Sequence, residues 1–325
     1  MTGLGLGLWT AINLAVAGPA TSPAYLPLHV AQAEGYFAKE QLDVSVTLER
    51  SEAEAAQALA RGRADLAATS LDAAYARGLV EGDPPLILFG LVAAAPVAIL
   101  ISPQHKDTLR TVADLRGQIV GLPGAGTPEH AMLTSVLAHA GLKVHQVPFQ
   151  SFGDRRLVGA LEEGKVAAAV MSDPWVTRLV EDGTAAILAD LRKRLEARRW
   201  FGVDTVYSAV FVRAGSKLSE RELVALARAL LRATARLQEA QPEALAALLP
   251  RAVTGNPQDF ALRLLGAREA WLPRGRVTEE MLQASVAQAR IRAPLPAALR
   301  TPHLRWYPLI LAAPLRKAQE TAPAR

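Results

Sequence analysis

Hydroxyl-bearing and glycine residues recur in this chain where apolar runs give way to helical spacing. Thr21, Ser22 and Tyr25 follow the run Ile12–Ala17, and Thr69, Ser70 and Asp72 close a second short run. Further on, Gly124, Ala125, Gly126 and Thr127 follow Gln118–Leu122, and Ser172, Asp173 and Trp175 follow Val166–Met171. In open α/β sheets, ligands sit beyond the carboxyl ends of the strands. Hydroxyls and unpaired N–H groups at helix starts there favour a carboxylate, a sulfonate or a similar anion. The glycines of Gly124–Thr127 let backbone approach a ligand closely, or else form a plain turn capped by Thr127. Ser70 and Ser172 have the same two readings, ligand contact or helix cap. Trp175 either lines a cleft or packs beneath it. Tyr25 and Tyr207 offer a ring and a hydroxyl, or fill the core.

Bond-making chemistry finds little support. The six histidines, His29, His105, His130, His139, His145 and His303, show no metal-ligand spacing on one helix face. His130 stands beside the glycine turn and reads as a surface helix residue. Cysteine is absent, which removes disulfides, thiolate metal sites and a thiol nucleophile. No nucleophile elbow, phosphate-cradling loop or dinucleotide fingerprint is present, and no cofactor is expected.

The elements that must position these residues come as a repeat. Ala58–Asp72 (ALARGRADLAATSLD) matches Ala160–Pro174 (ALEEGKVAAAVMSDP): Ala-Leu, two residues, Gly, a basic residue, a small apolar run, then Ser. Upstream, Ile12–Pro23 faces Ile119–Pro128, each an apolar run, a Gly/Pro turn and a hydroxyl residue before Pro. The first unit reads as strand Ile12–Ala17, helix Pro23–Gly35 opened by Ser22 as cap, strand Leu42–Leu48, helix Glu52–Arg61 and strand Asp65–Thr69. The second reads as strand Gln118–Leu122, helix Pro128–Ala140, strand Lys143–Val147, helix Asp154–Glu163 and strand Val166–Met171. Val206–Arg213 is a further strand, Ser219–Ala240 a long amphipathic helix capped by Ser219, and Pro242–Arg325 a set of helices broken by Pro-rich turns with a frayed end at Thr321–Arg325. Alternating strands and helices predict an α/β fold with parallel-rich sheets flanked by helices, in two lobes with a cleft between them.

A chain of 325 residues, 50% hydrophobic and 21% charged, is globular and long enough for two cores. The net charge of +5 is dispersed apart from Arg192–Arg199, which reads as a solvated helix face. Without an aromatic stacking pattern beside it, nucleic acid is not an expected partner. Leu86–Pro103 is uncharged and long enough to cross a bilayer, but Gly90 and Pro96 divide it into two buried strands. Met1–Ala17 is apolar and carries a small-residue cleavage pattern, yet lacks Lys and Arg; strand is the preferred reading of Ile12–Ala17 over a signal peptide.

The stretch Ser22–Phe37 (SPAYLPLHVAQAEGYF) with Gln41–Val44 resembles the entry segment of the nitrate/sulfonate/taurine-type solute-binding proteins of ABC importers. That family is grouped with the thiamine pyrimidine-precursor synthase domain. Gln57–Leu66, Asp114–Gly121 and Ser172–Trp175 resemble its later landmarks, and the similarity spans residues 12–240. The resemblance implies a two-lobed periplasmic-binding-protein-like (type II) fold that closes on a small sulfonate, carboxylate or pyrimidine-like solute and delivers it to an ABC permease. It implies a monomer in the periplasm or another extracytoplasmic space; the missing export signal leaves the cytoplasm open. Lobe one would comprise residues 1–101 and 206–325, lobe two residues 102–205, with crossings near 99–102 and 205–208. Two alternatives remain: an enzyme on the same fold, of pyrimidine-precursor or menaquinone-pathway type, and a ligand-sensing module. The Pro-rich stretch Arg300–Lys317 has no counterpart in the resemblance.

Overall fold

Short apolar runs alternating with Ala-rich amphipathic stretches build two sheets to one plan. A computed structural model describes residues 11–80, 84–292 and 307–321. Its strands are β1 (Ala11–Ala17), β2 (Asp43–Glu49), β3 (Leu66–Ser70), β4 (Leu86–Val92), β5 (Val97–Ile101), β6 (Val120–Leu122), β7 (Phe149–Ser151), β8 (Ala168–Ser172), β9 (Ala186–Asp190) and β10 (Ser208–Val212). They form two five-stranded sheets, ordered β2-β1-β3-β10-β4 and β7-β6-β8-β5-β9. In the first, β1 runs parallel to β2 and β3, while β10 is antiparallel to β3 and β4. In the second, β6 runs parallel to β7 and β8, while β5 is antiparallel to β8 and β9. Both sheets are therefore mixed. Each takes its one antiparallel strand from the chain as it passes to or from the other sheet.

The flanking helices of the first half are α1 (Leu26–Ala33), α2 (Tyr36–Lys39), α3 (Glu52–Ala60) and α4 (Leu71–Val80). Those of the second are α5 (Pro128–His139), α6 (Asp154–Glu162), α7 (Trp175–Glu181) and α8 (Arg194–Phe201). After β10 come α9 (Glu220–Glu239), α10 (Pro242–Leu248), α11 (Arg251–Thr254), α12 (Pro257–Ala267), α13 (Glu279–Arg292) and α14 (Ala312–Thr321). Ser219 caps α9 as expected: its hydroxyl accepts from the Glu222 N–H and Glu222 accepts from the Ser219 N–H. Leu309, Leu315 and Ala318 are buried, and the Leu311 N–H donates to the Ile87 carbonyl, so the C-terminal segment packs beside β4. The segments 293–306 and 322–325, with most of the expected frayed tail, lie outside the described residues.

The strand period decides which side each residue faces. Val97, Ile99 and Ile101 of β5 join the main core, while Ala98 and Leu100 join a second cluster with Leu157 and Leu161 of α6 and Val176 and Leu179 of α7. Leu86–Pro103 resolves into β4 and β5 in different sheets. Among the described residues no helix is long and apolar enough to cross a membrane.

Four expectations differ from the structure. Lys143–Val147 is not a strand: Val144–Gln146 forms a 3-10 turn in which the Gln146 side chain accepts from the Lys143 N–H, and the strand forms after Pro148 as β7. Local side-chain capping outcompetes the ladder there. The first passage between sheets lies at residues 93–96, upstream of the expected 99–102, because β5 already belongs to the second sheet from Val97. The return runs between Asp190 and Ser208. Arg192 is buried rather than part of a solvated face. Ser22 makes no side-chain cap bond, although Pro23 follows it at the first position of the turn.

Candidate ligand cleft

Glu52 is the hub of the site, at the first position of α3 with Ser51 as its cap. Three segments bring polar groups to it. The Tyr25 hydroxyl donates to Oε1 at 2.9 Å, and the Tyr207 hydroxyl donates to the same oxygen at 3.1 Å. Ser70, ending β3, lies within electrostatic reach of the carboxylate while its Oγ accepts from the Ala73 N–H at 3.4 Å, and the Thr69 hydroxyl donates to the Glu52 carbonyl at 2.8 Å. Desolvation pushes the Glu52 carboxyl above its usual range, the like charge of Asp72 adds to that, and the three hydroxyls oppose it. Burial, reinforced by the Glu52 charge, in turn raises Tyr25 well above the ordinary phenol value, so this tyrosine is a donor.

The second sheet's contribution comes from the turn before α5. Thr127 caps that helix, accepting from the His130 N–H at 3.4 Å, and donates its own hydroxyl to the Gly124 carbonyl. Gly126, at φ +77, donates its N–H to His130 Nδ1 at 3.1 Å, and the His130 ring tilts against Phe149. His130 is thus tied into the turn rather than free on the surface. Gly124 is half-buried while Ala125 and Gly126 are exposed. Glu129, in the first turn of α5, is desolvated and raised above the usual carboxylate range. The charges of Asp154 and Glu52 push it further, and a Thr127 hydrogen bond opposes. Glu52 and Glu129 thus lie within electrostatic reach of each other, on helices flanking different sheets.

Asp173 belongs to another cluster. Its carboxylate takes Arg192 Nη1 at 3.0 and 3.1 Å and, through Oδ1, the Thr177 N–H and hydroxyl. Arg192 also holds Asp190, and all three charged side chains are buried. Hydrogen bonds to both aspartates raise the guanidinium further against the cost of burial. Gly266 of α12 lies against the Asp173 carboxylate so closely that a Cβ there would collide with it. Arg178 of α7 pairs with Asp259 of α12 beside this contact and also covers the Trp175 ring at 5.6 Å. Trp175 packs against the second core cluster. Ser172 ends β8, half-buried. Thr21 is half-buried, with Gly255 as a neighbour.

Of the residues singled out from sequence, Tyr25, Thr69, Ser70 and Tyr207 thus gather on Glu52, with Asp72 within electrostatic reach. Gly124–Thr127 form the turn beside Glu129. Asp173 and Trp175 sit in an ion-pair and packing cluster between α7 and α12. Glu52 and Glu129 were missed. The signal was slight, because an acid in the first turn of a helix is a routine complement to its dipole. A separate groove of about 460 Å³ lies among Arg194, Arg232, Arg268 and Trp271. Its three arginines are engaged with Asp204, Glu40 and the Ala240 carbonyl respectively. Among the described residues no group of three or more His, Cys, Asp or Glu is placed to hold a metal ion.

Two mixed five-stranded sheets of one plan, joined by two passages and flanked by helices, define a periplasmic-binding-protein-like fold. Residues 22–244 match the NMT1/THI5-like family, and the chain belongs to it. In structure it is similar to a Bordetella bronchiseptica RB50 protein, at TM-score 0.72 and 24% identity, covering 95% of this chain and 97% of the other. The periplasmic aliphatic sulphonate binding protein SsuA from Escherichia coli superimposes at TM-score 0.67 with 19% identity, covering 86% and 91%. The periplasmic nitrate-binding protein NrtA from Synechocystis PCC 6803 does so at 0.62 with 15% identity, covering 98% and 93%. Comparison of the sequence with curated proteins returned no match.

Proposed function

We propose that this chain is a solute-binding protein that holds one small organic molecule between its lobes and hands it to a membrane importer. The observation that carries the reading is the convergence of Tyr25, Ser70 and Tyr207 on Glu52, from one sheet and from the return passage, opposite the Glu129 turn of the other. A site assembled from both halves is completed only when they are together, which couples ligand binding to hinge closure. Delivery to an ABC permease and a periplasmic or other extracytoplasmic location rest on family membership and on what the similar structures are described as binding. The lobes would exchange the chain at residues 93–96 and near 202–207, and the protein would act as a monomer.

A raised carboxylate held by two tyrosine hydroxyls also has the form of a general base, which favours an enzyme as the second reading. One experiment separates the two. A thermal-shift panel of alkanesulfonates, taurine, nitrate, hydroxymethylpyrimidine, aromatic carboxylates and organic amines is followed by mass spectrometry of the recovered compound. A ligand at a thousand times its Kd stabilises the fold by about 4 kcal/mol. Recovery unchanged supports a binding protein. Conversion of the bound compound points to the enzyme, and silence across the whole panel removes the solute-binding reading.

A further inference from the structure

The groove of about 460 Å³ takes its walls from both halves of the molecule. Arg194 and Leu195 open α8, which packs beside β9 of the second sheet. Arg232 stands on α9, which packs beside β4 of the first sheet. Arg268, Trp271 and Arg274 follow α12, and Trp271 bridges to Val92 at the end of β4. None of the residues gathered on Glu52, and none of the turn before α5, lines this groove. It is a separate cavity.

Its arginines are held in place without being neutralised. Arg194 has Asp204 to itself, but Arg232 shares Glu40 with Arg228, so one carboxylate serves two guanidinium groups. Arg268 and Arg274 donate to main-chain carbonyls, those of Ala240 and Gln319, and among the described residues neither is in a salt bridge. A carbonyl fixes a guanidinium but leaves its charge. Glu269 is the one acid in the lining. Five arginines therefore stand against three acids in and around the groove. Two further observations point to an occupant. Arg268 Nε is buried and has no hydrogen-bond partner, which is uncommon in folded chains. Leu195 is 59% exposed and lines the same space with an apolar side chain.

We propose that this groove is a second binding site, for a small organic anion with an apolar body: an aryl or alkyl carboxylate or sulfonate. Arg268 and Arg274 supply charge for its head group, and Leu195 an apolar flank for its body. Planar guanidinium donors match the oxygens of such head groups. The volume falls within the range of small-molecule pockets, roughly 300–1,000 Å³. An occupant would touch elements that flank both sheets. The site stands on its own residues and does not depend on what the cleft binds.

The test is calorimetric titration of the purified full chain at neutral pH with naphthalene-2-sulfonate and with its cationic counterpart, 2-naphthylmethylamine. The expected result is saturable binding of the sulfonate, with a Kd at least tenfold tighter than that of the amine. That Kd should weaken tenfold or more in Arg268→Gln and in Leu195→Asp. Leu195 is exposed in the first turn of α8, where an acid suits the helix dipole, so Leu195→Asp keeps the test decisive if Arg268→Gln fails to fold. Binding with Kd unchanged in Leu195→Asp puts the sulfonate elsewhere, the cleft included, and overturns the assignment. Equal affinity for the amine, or no binding of the sulfonate, overturns it too. The wider panel decides separately whether the cleft binds a solute.

Discussion

An acidic side chain at a helix start usually faces water and complements the dipole, and Glu129 departs from that in its desolvation. The sign of its pH linkage follows. Its folded carboxyl sits above the unfolded value, so the folded state holds more protons through the window above the ordinary carboxylate range. Stability from this group is fully present below that range and is lost as pH rises through the raised folded value. The ligand-free Glu129→Gln variant should therefore melt above the wild type at pH 8, with the gap closing as pH falls toward 5. Parallel melting curves across that range would show that Glu129 is solvated. Asp173 makes the opposite case, a carboxylate whose bonds the fold needs. Asp173→Asn removes charge from two bonds to Arg192 and should cost about 2 kcal/mol in denaturant unfolding. A loss below a few tenths would mean that Asp190 alone satisfies the guanidinium.

At the scale of elements, the repeat was the most legible feature because turn chemistry and strand period recur in both halves. Ile12–Ala17, Asp65–Thr69 and Val206–Arg213 each form a strand within one or two residues of the expected bounds. The repeat also contained β9, the counterpart of β4 at the sheet edge, but Ala186–Asp190 is short, follows the turn at Gly183 and has Ile187 as its one β-branched residue. Lys143–Val147 failed because a Gln146 side chain and Pro148, both local, set the backbone. The gathering of hydroxyls at strand ends was legible, but the glutamates they meet were not, since neither differs in sequence from an ordinary first-turn acid. The contact between α7 and α12 could not be read at all, because Gly266 and Asp173 are far apart in the chain. It makes its own prediction. Gly266→Ala places a methyl against the Asp173 carboxylate at the junction of the lobes. Ligand Kd should rise tenfold or more, with the ligand-free midpoint falling only by a few degrees. An unchanged Kd would show that this contact does not belong to the closed, binding-competent arrangement.

For the whole molecule, the question is what holds the two passages between the sheets. Ala93, Ala94 and Ala95 are buried, and Thr205 of the return passage donates its hydroxyl to the Ala93 carbonyl at 2.6 Å. The next residue, Val206, donates its N–H to Ser285 Oγ of α13 at 2.7 Å, and Ser285 donates onward to the Met281 carbonyl. The C-terminal region thus braces both crossings at one point, since α13 also packs against α5 of the second lobe. In Ser285→Ala the Val206 N–H stays buried without a partner, at a cost of about 1–3 kcal/mol. If the brace acts only on stability, ligand affinity corrected for the folded fraction will not change. If it also sets the rest angle of the hinge, small-angle scattering of the ligand-free variant will give a larger radius of gyration than the wild type, and affinity will fall with it. The buried position of Ser285 between the two crossings favours the second outcome. An unchanged radius with a lowered midpoint would confine Ser285 to the core and return the hinge to the two passages alone.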